Sequence, residues 1–228
     1  VSLTVEAPPQ PPVGPLVLET QGLTYEQIQD VSLEVRAGEI VGIAGIEGNG
    51  QSALLQLIQH PADYQKQARG SIRCLGQEVF GSSGAWASGR IKALGIGVVP
   101  EDRHREGLML DRPVRENFLL GLQRRSPFAR GGFISEQALS AAAGRAIEEY
   151  DVRPRSLDVS ARGLSGGNQQ KLIIAREFER KPGLMIAAQP TRGVDVGAIE
   201  FIHRRIFRAR DEGAGVLLVS SELDEIIA

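Results

Sequence analysis

Cysteine is nearly absent from this chain: Cys74 is the single one among 228 residues. That excludes an intrachain disulfide and a thiolate-rich metal site, and it is compatible with a reducing compartment. No apolar run reaches the roughly 18 residues that a membrane-crossing helix needs, so no segment is expected to span a bilayer. Neither sign of charge dominates, since 26 Lys and Arg face 28 Asp and Glu, for a net charge of −2. A protein that tracks a polyphosphate backbone carries a basic excess, so nucleic acid is not an expected partner. Aromatic residues make up only 5 % and form no array on which bases could stack. No basic segment precedes an apolar stretch at the start, so no signal peptide is expected. The chain opens on Val1 rather than Met and stops on Ile226-Ile227-Ala228 inside a helical pattern, and both ends are expected to be cut.

What is present is ordinary for a globular protein: 42 % apolar and 24 % charged residues. The length suits one α/β domain or a large fragment. Pro8, Pro9, Pro11, Pro12 and Pro15 favour polyproline II, and residues 1–15 read as an interdomain linker or a frayed terminus, ahead of a domain over 16–228. Val31, Leu33 and Val35 alternate with polar residues, which predicts a half-buried antiparallel strand. Ile40–Ala44, Ser71–Leu75, Gly95–Val99, Leu184–Ala188 and Val216–Ser220 read as further strands. Helices are expected over Ser52–Ile58, Val114–Leu122, Glu136–Tyr150, Gly167–Arg180 and Gly197–Glu212. Alternating strands and helices imply a mostly parallel sheet, interrupted by a helical insertion from about 102 to 181.

Gly45, Gly48, Asn49, Gly50, Gln51, Ser52 and Ala53 lie between a strand and a helix, the setting of a phosphate-binding loop. Glycines let backbone N–H groups converge on phosphate oxygens, and the helix start adds partial positive charge. Gln51 stands where a Lys would reach the β- and γ-phosphates. A neutral amide supplies one hydrogen bond and no charge, a loss of roughly 1.5–3 kcal/mol. From the loop alone, a weakened nucleotide site and a ligand-free turn both stay open.

Further along, Leu164, Ser165, Gly166, Gly167, Asn168 and Gln169 precede Gln170-Lys171 just ahead of a helix. This LSGGNQQK run resembles the signature motif of ABC-type ATPases. The strand Met185–Ala188 followed by QPTRGVD resembles their Walker B strand and D-loop. GNQQK and PTRGVDVGA are similar to the ATP-binding subunits of carbohydrate importers. GNGQS, AAQPTRG and VSSELDE together resemble the second, degenerate nucleotide-binding domain of the nucleoside-importer branch. The resemblance covers nearly the whole chain after residue 16.

The resemblance implies a P-loop NTPase fold of ABC type, with a mostly parallel core sheet, an antiparallel β subdomain and a helical insertion. It implies ATP, weakly bound or absent in this half, and Mg²⁺ as the ion Ser52 would ligate. Tyr25 takes the place of the aromatic that stacks on adenine. Ala188 stands for the metal-holding Asp, Gln189 for the water-polarising Glu, Ser221 for the switch His, and Glu101 for the Q-loop Gln. Hydrolysis by this domain alone is therefore expected to be poor or nil. Ser165, Gly166 and Gly167 would cap the γ-phosphate in a partner's site, and Asp195 would reach across the same interface.

The implied partners are a second nucleotide-binding domain fused upstream, transmembrane permease subunits and, indirectly, an extracytoplasmic binding protein, at the cytoplasmic face of the cell membrane. Closing elements past the switch position are expected to be missing. Two other readings keep the fold: a dimerisation scaffold without nucleotide, and a soluble ABC-class protein of repair or translation. Arg103, Arg105, Arg112 and Arg115 read as a solvated loop or a surface for the permease, and Arg204, Arg205, Arg208 and Arg210 as the wet face of a helix. His60, His104 and His203 share no metal-ligand spacing.

Overall fold

The computed structural model describes residues 8–227; positions 1–7 of the proposed linker, and Ala228, lie outside the described residues. The described chain divides into two compact units. One comprises the residues up to Val98 with Pro182–Gln189 and those from Arg204 onward; the other comprises Val99–Lys181 and Pro190–His203. In chain order the first unit holds strands β1 (Leu16–Tyr25), β2 (Ile28–Arg36) and β3 (Ile40–Ala44), then helices α1 (Gln51–Gln59) and α2 (Pro61–Tyr64). Strands β4 (Arg69–Cys74), β5 (Gln77–Gly81) and β6 (Gly84–Ala85), helix α3 (Ser88–Ala93) and strand β7 (Ile96–Val99) follow. The second unit holds α4 (Val114–Leu119), the short pair β8 (Ala129–Arg130) and β9 (Phe133–Ile134), α5 (Glu136–Glu149) and α6 (Gly166–Glu179). After them come β10 (Leu184–Ala188), α7 (Val196–Asp211), β11 (Gly215–Ser220) and α8 (Leu223–Ile227).

Two sheets build the first unit. The antiparallel one runs β2-β1-β4-β5-β6, and the other runs β3-β11-β10-β7. In the latter, β10 pairs β11 in parallel from Leu184↔Gly215 to Ala188↔Val219, and β11 pairs β3 in parallel from Val216↔Ile40 to Ser220↔Ala44. β10 (LMIAA) is buried at every position, which is why it reads as a continuous apolar run rather than an alternating one. Leu55, Leu57, Ile58, Ile72, Ile186, Leu217 and Val219 share one core. The fold is thus α/β, with a parallel core sheet, an antiparallel subdomain and a helical insertion.

Element ends moved where backbone chemistry dictates. β4 stops at Cys74 rather than Leu75, because Leu75 (φ 49°) and Gly76 (φ 78°) form a left-handed two-residue turn into β5, with Cys74 opposite Gln77. α4 stops at Leu119, before Gly121 at φ 81°, instead of reaching Leu122. Arg210 is a correction to the wet-face reading: it is 4 % exposed. Its guanidinium donates to the Pro8 and Pro9 carbonyls at 3.3–3.4 Å and to Asp211 Oδ1 at 2.7 Å. With the Gly14 N–H donating to the Ala37 carbonyl at 2.7 Å, the prolines lie pinned along the unit.

In the second unit a polar network sits inside the helical packing. Asn117 is fully buried; its Oδ1 accepts from the Met109 N–H at 2.8 Å, and its Nδ2 donates to the carbonyls of Met109, Arg112 and Pro113 at 3.0–3.2 Å. Arg176 Nη1 donates to the Gly107 and Asn117 carbonyls, while Nε pairs with Glu177, itself paired with Arg180. This network satisfies the backbone of the segment 107–117, which has little regular structure of its own.

Two measurements check this packing. Asn117→Ala leaves the Met109 amide without its acceptor and is expected to destabilise the chain by about 3 kcal/mol in urea unfolding. Burial pushes the Cys74 thiol up to about 12 from an ordinary 9.0. Only the unfolded chain then loses the proton above pH 9, so stability is expected to fall as pH rises from about 9 towards 12. A Cys74→Ala variant measured over the same range would lack that slope.

Candidate functional site

Parallel register brings three segments to one edge of the core sheet. Ala44, Ser220 and Ala188 end their strands side by side, so the loop from Gly45, Gln189 and Ser221 emerge together at the carboxyl ends, where open α/β sheets take ligands. The Gly45 N–H donates to the Ser220 carbonyl at 3.3 Å, and the Gln189 N–H to the Val219 carbonyl at 2.8 Å.

The loop has the backbone of a phosphate cradle. Gly50 caps α1 at φ 100°, and Gly48 lies at φ 90° with open space where a Cβ would stand, conformations that L side chains rarely adopt. Asn49 is exposed, and Ser52 and Ala53 begin the helix. Gln51 turns back into the loop: its Nε2 donates to the Ile46 carbonyl at 3.3 Å and covers the space beside Gly45. The backbone fits a phosphate group; the side chains bring no cation to it. The Tyr25 ring packs edge-on against Tyr64 with centroids 5.1 Å apart, and a hydrogen bond with Glu26 is the main cause raising its phenol pKa.

Ala188 is buried and offers no side-chain oxygen. Gln189, 8 % exposed and in the left-handed region at φ 47°, accepts through Oε1 from the Ser221 N–H at 3.1 Å and from its hydroxyl at 3.2 Å. Two positions read as lost catalytic groups therefore bond each other. Ser52 contributes a hydroxyl, but among the described residues no group of three His, Cys, Asp or Glu side chains gathers to hold a metal ion. Ser52 is the side chain that would hold a Mg²⁺ whose remaining ligands are phosphate and water oxygens.

The second unit carries the other constellation. Ser165 caps α6, its Oγ accepting from the Asn168 N–H at 3.4 Å and from Asn168 Nδ2 at 2.8 Å. Asn168 Oδ1 accepts from the Arg153 N–H at 2.7 Å. Leu164 is buried beneath. A Cβ on Gly166 would lie 2.8 Å from the Gly193 carbonyl oxygen, and one on Gly167 would lie 2.7 Å from Asp195 Oδ2, so these glycines let the loop 190–195 rest directly on the helix start. Asp195 Oδ1 accepts from the Ala198 N–H at 3.0 Å and caps α7.

One residue escaped the sequence reading. Asp102 Oδ1 accepts from the N–H groups of His104 and Arg105 at 3.0 and 3.1 Å and winds Arg103–Gly107 into a single π-type turn. Arg103 thereby points inward, while Arg112 and Arg115 pair with Glu116 and Asp158 at the surface. Its Nη1 and Nη2 donate to the carbonyls of Arg192 (2.7 Å) and Gly193 (3.2 Å), and Nε to Gln169 Oε1 (3.4 Å). Burial, opposed by nearby Asp102, lowers its pKa. Glu101 pairs with Arg192 at 3.8 Å. An Asp directly before an Arg in a short loop is the sequence signal that could have flagged the turn.

The family model described as "ABC transporter" matches residues 28–192. The chain is 45 % identical over 231 residues to the "Nucleoside import ATP-binding protein NupA" of Lactococcus lactis subsp. cremoris, covering 99 % of this chain and 44 % of that one. It is 46 % identical over 214 residues to the "Guanosine import ATP-binding protein NupO" of Bacillus subtilis, covering 94 % and 40 %. The chain thus spans under half the length of these curated relatives. Among solved structures, a nucleotide-free ATP-binding cassette from an ABC transporter superposes with a TM-score of 0.74 at 21 % identity, over 93 % of this chain and 84 % of that one. A dimeric cassette in a post-hydrolysis state bound to ADP and Pi gives 0.74 at 22 % identity, over 92 % and 90 %.

Gly166→Ala places a methyl against backbone that must shift. The expected cost is about 1–3 kcal/mol of stability, read by thermal or urea unfolding.

Proposed function

Since this chain belongs to the ABC transporter family, we propose that it is the energy-coupling ATP-binding domain of an importer for nucleosides or simple sugars. Its own nucleotide site is degenerate, and its signature motif completes the site of a companion domain. The relatives named for nucleoside and guanosine import support the substrate class, and others named for ribose import support sugars as the wider range. The companion nucleotide-binding domain is fused upstream through the Pro-rich residues 1–15, consistent with relatives more than twice as long. Permease subunits bind the assembly at the cytoplasmic face of the membrane, and an extracytoplasmic binding protein delivers substrate. Among the described residues no helix is long and apolar enough to cross a membrane.

The observation that carries this reading is the contrast between the two constellations. At the strand ends, the positions for charge are filled by Gln51, Ala188, Gln189 and Ser221, and Gln189 and Ser221 bond each other. Phosphoryl transfer depends on positioning and on charge that meets the developing negative charge, so this edge supports nucleotide binding at most. In the second unit Ser165 begins α6 with an exposed hydroxyl engaged as an acceptor, beside the helix's first amides, a ready anion site. That is the half of an ABC reaction centre that acts on a nucleotide held by another domain. A scaffold reading, in which no nucleotide binds here at all, draws support from Gln51 closing on the Ile46 carbonyl.

Titration of the chain with ATP, with and without Mg²⁺, separates the two. The expected result is binding that hardly responds to Mg²⁺ and no turnover; no binding at millimolar ATP establishes the scaffold. In the assembled importer, Ser165→Ala is expected to lower ATP hydrolysis by roughly ten- to a hundredfold. Unchanged hydrolysis would remove the signature from the reaction.

A further inference from the structure

A single guanidinium joins the two segments that the proposed function needs. We propose that Arg103 is a positioning residue for hydrolysis at the companion's site: it clamps the loop 190–195 onto the start of α6, so that Ser165 and Asp195 are presented as one rigid piece. This rests on the reading of the signature given above.

The geometry is that of a fork. Three N–H donors in one plane reach three neutral acceptors on two stretches of chain: the consecutive Arg192 and Gly193 carbonyls, and Gln169 Oε1. Gln169 is itself fixed, 5 % exposed, with Nε2 donating to the Ala161 carbonyl at 3.0 Å and Oε1 within 2.9 Å of His104 Nε2. The guanidinium also packs under Gly166, where a Cβ would lie 2.9 Å from Nη2. Asp102 Oδ1 accepts from the N–H groups of His104 and Arg105 and so closes the turn that carries Arg103.

A lysine cannot reproduce this, because an ammonium is a point donor and cannot bridge carbonyls and an amide in a fixed plane. The clamped surface itself is exposed at Ser165, Arg192, Gly193 and Asp195. A network that holds an exposed surface rigid from beneath is what a site needs when its geometry must be right before the ligand arrives.

The test uses the assembled importer with Arg103→Lys, Ser165→Ala and the double variant, measuring steady-state ATP hydrolysis and melting. Arg103→Lys is expected to lower kcat about tenfold, as misplacement of a catalytic surface does, with KM for ATP changed less than about twofold. In the Ser165→Ala background the same substitution is expected to cause no further loss, the mark of two residues acting through one path. Unchanged kcat, or an equal loss in both backgrounds, overturns the proposal. If Arg103→Lys melts too low to assay, hydrogen exchange of residues 191–195 decides: unchanged protection overturns the clamp, and faster exchange confined to that loop supports it. Should Ser165→Ala alone leave hydrolysis intact, the reading of the signature fails, while the exchange result still judges the clamp.

Discussion

Parallel pairing of β3, β11 and β10 is the constraint on which the strand-end site depends. Parallel strands carry their hydrogen bonds at even spacing, so once Ala44, Ser220 and Ala188 are in register, whatever follows each strand emerges at the same edge. β10 and β11 are buried on both faces, so a one-residue slip would exchange side chains of different size between two packed layers, and close packing opposes it. The strands therefore bring Gly45, Gln189 and Ser221 together whether or not those residues can do chemistry. The constellation is architectural first and chemical second.

That separation means the edge keeps its shape whatever the charge of the side chains placed on it. A charged ligand set at a buried edge carries a desolvation penalty that only its cation and phosphate can offset. Gln189 and Ser221 avoid that penalty by satisfying each other through neutral hydrogen bonds, each contributing about 0.5–1.5 kcal/mol to stability. Gln189 still holds a left-handed backbone, a conformation that costs a side-chain-bearing residue energy. The left-handed turn at Gln189 is thus held by neutral partners.

Much of this was legible in the chain itself, and the reasons differ by element. β10 and β11 are short apolar runs with no polar interruption, so they announce a buried parallel core. The LSGG run before a helix is equally plain. β1, β5 and β6 were harder: Leu16–Tyr25 mixes apolar and polar residues around bulges in its pairing with β2, which breaks strict alternation. Arg210 was misjudged, and the bonds of Arg103 went unseen, for a shared reason. Composition puts arginine at the surface, whereas both here donate to main-chain carbonyls distant in the chain. Long-range backbone partners leave no trace in neighbouring residues.

Arg210 carries that point further. By gripping the carbonyls of Pro8 and Pro9, while Gly14 bonds Ala37, the first unit holds its Pro-rich segment at two places. A stretch fastened at both ends behaves as a bracket rather than a leash. The described chain therefore begins at a point fixed on the first unit by Arg210. Loosening Arg210 would free the span from Pro8 to Gly14 while the bond from Gly14 to Ala37 still holds its other end.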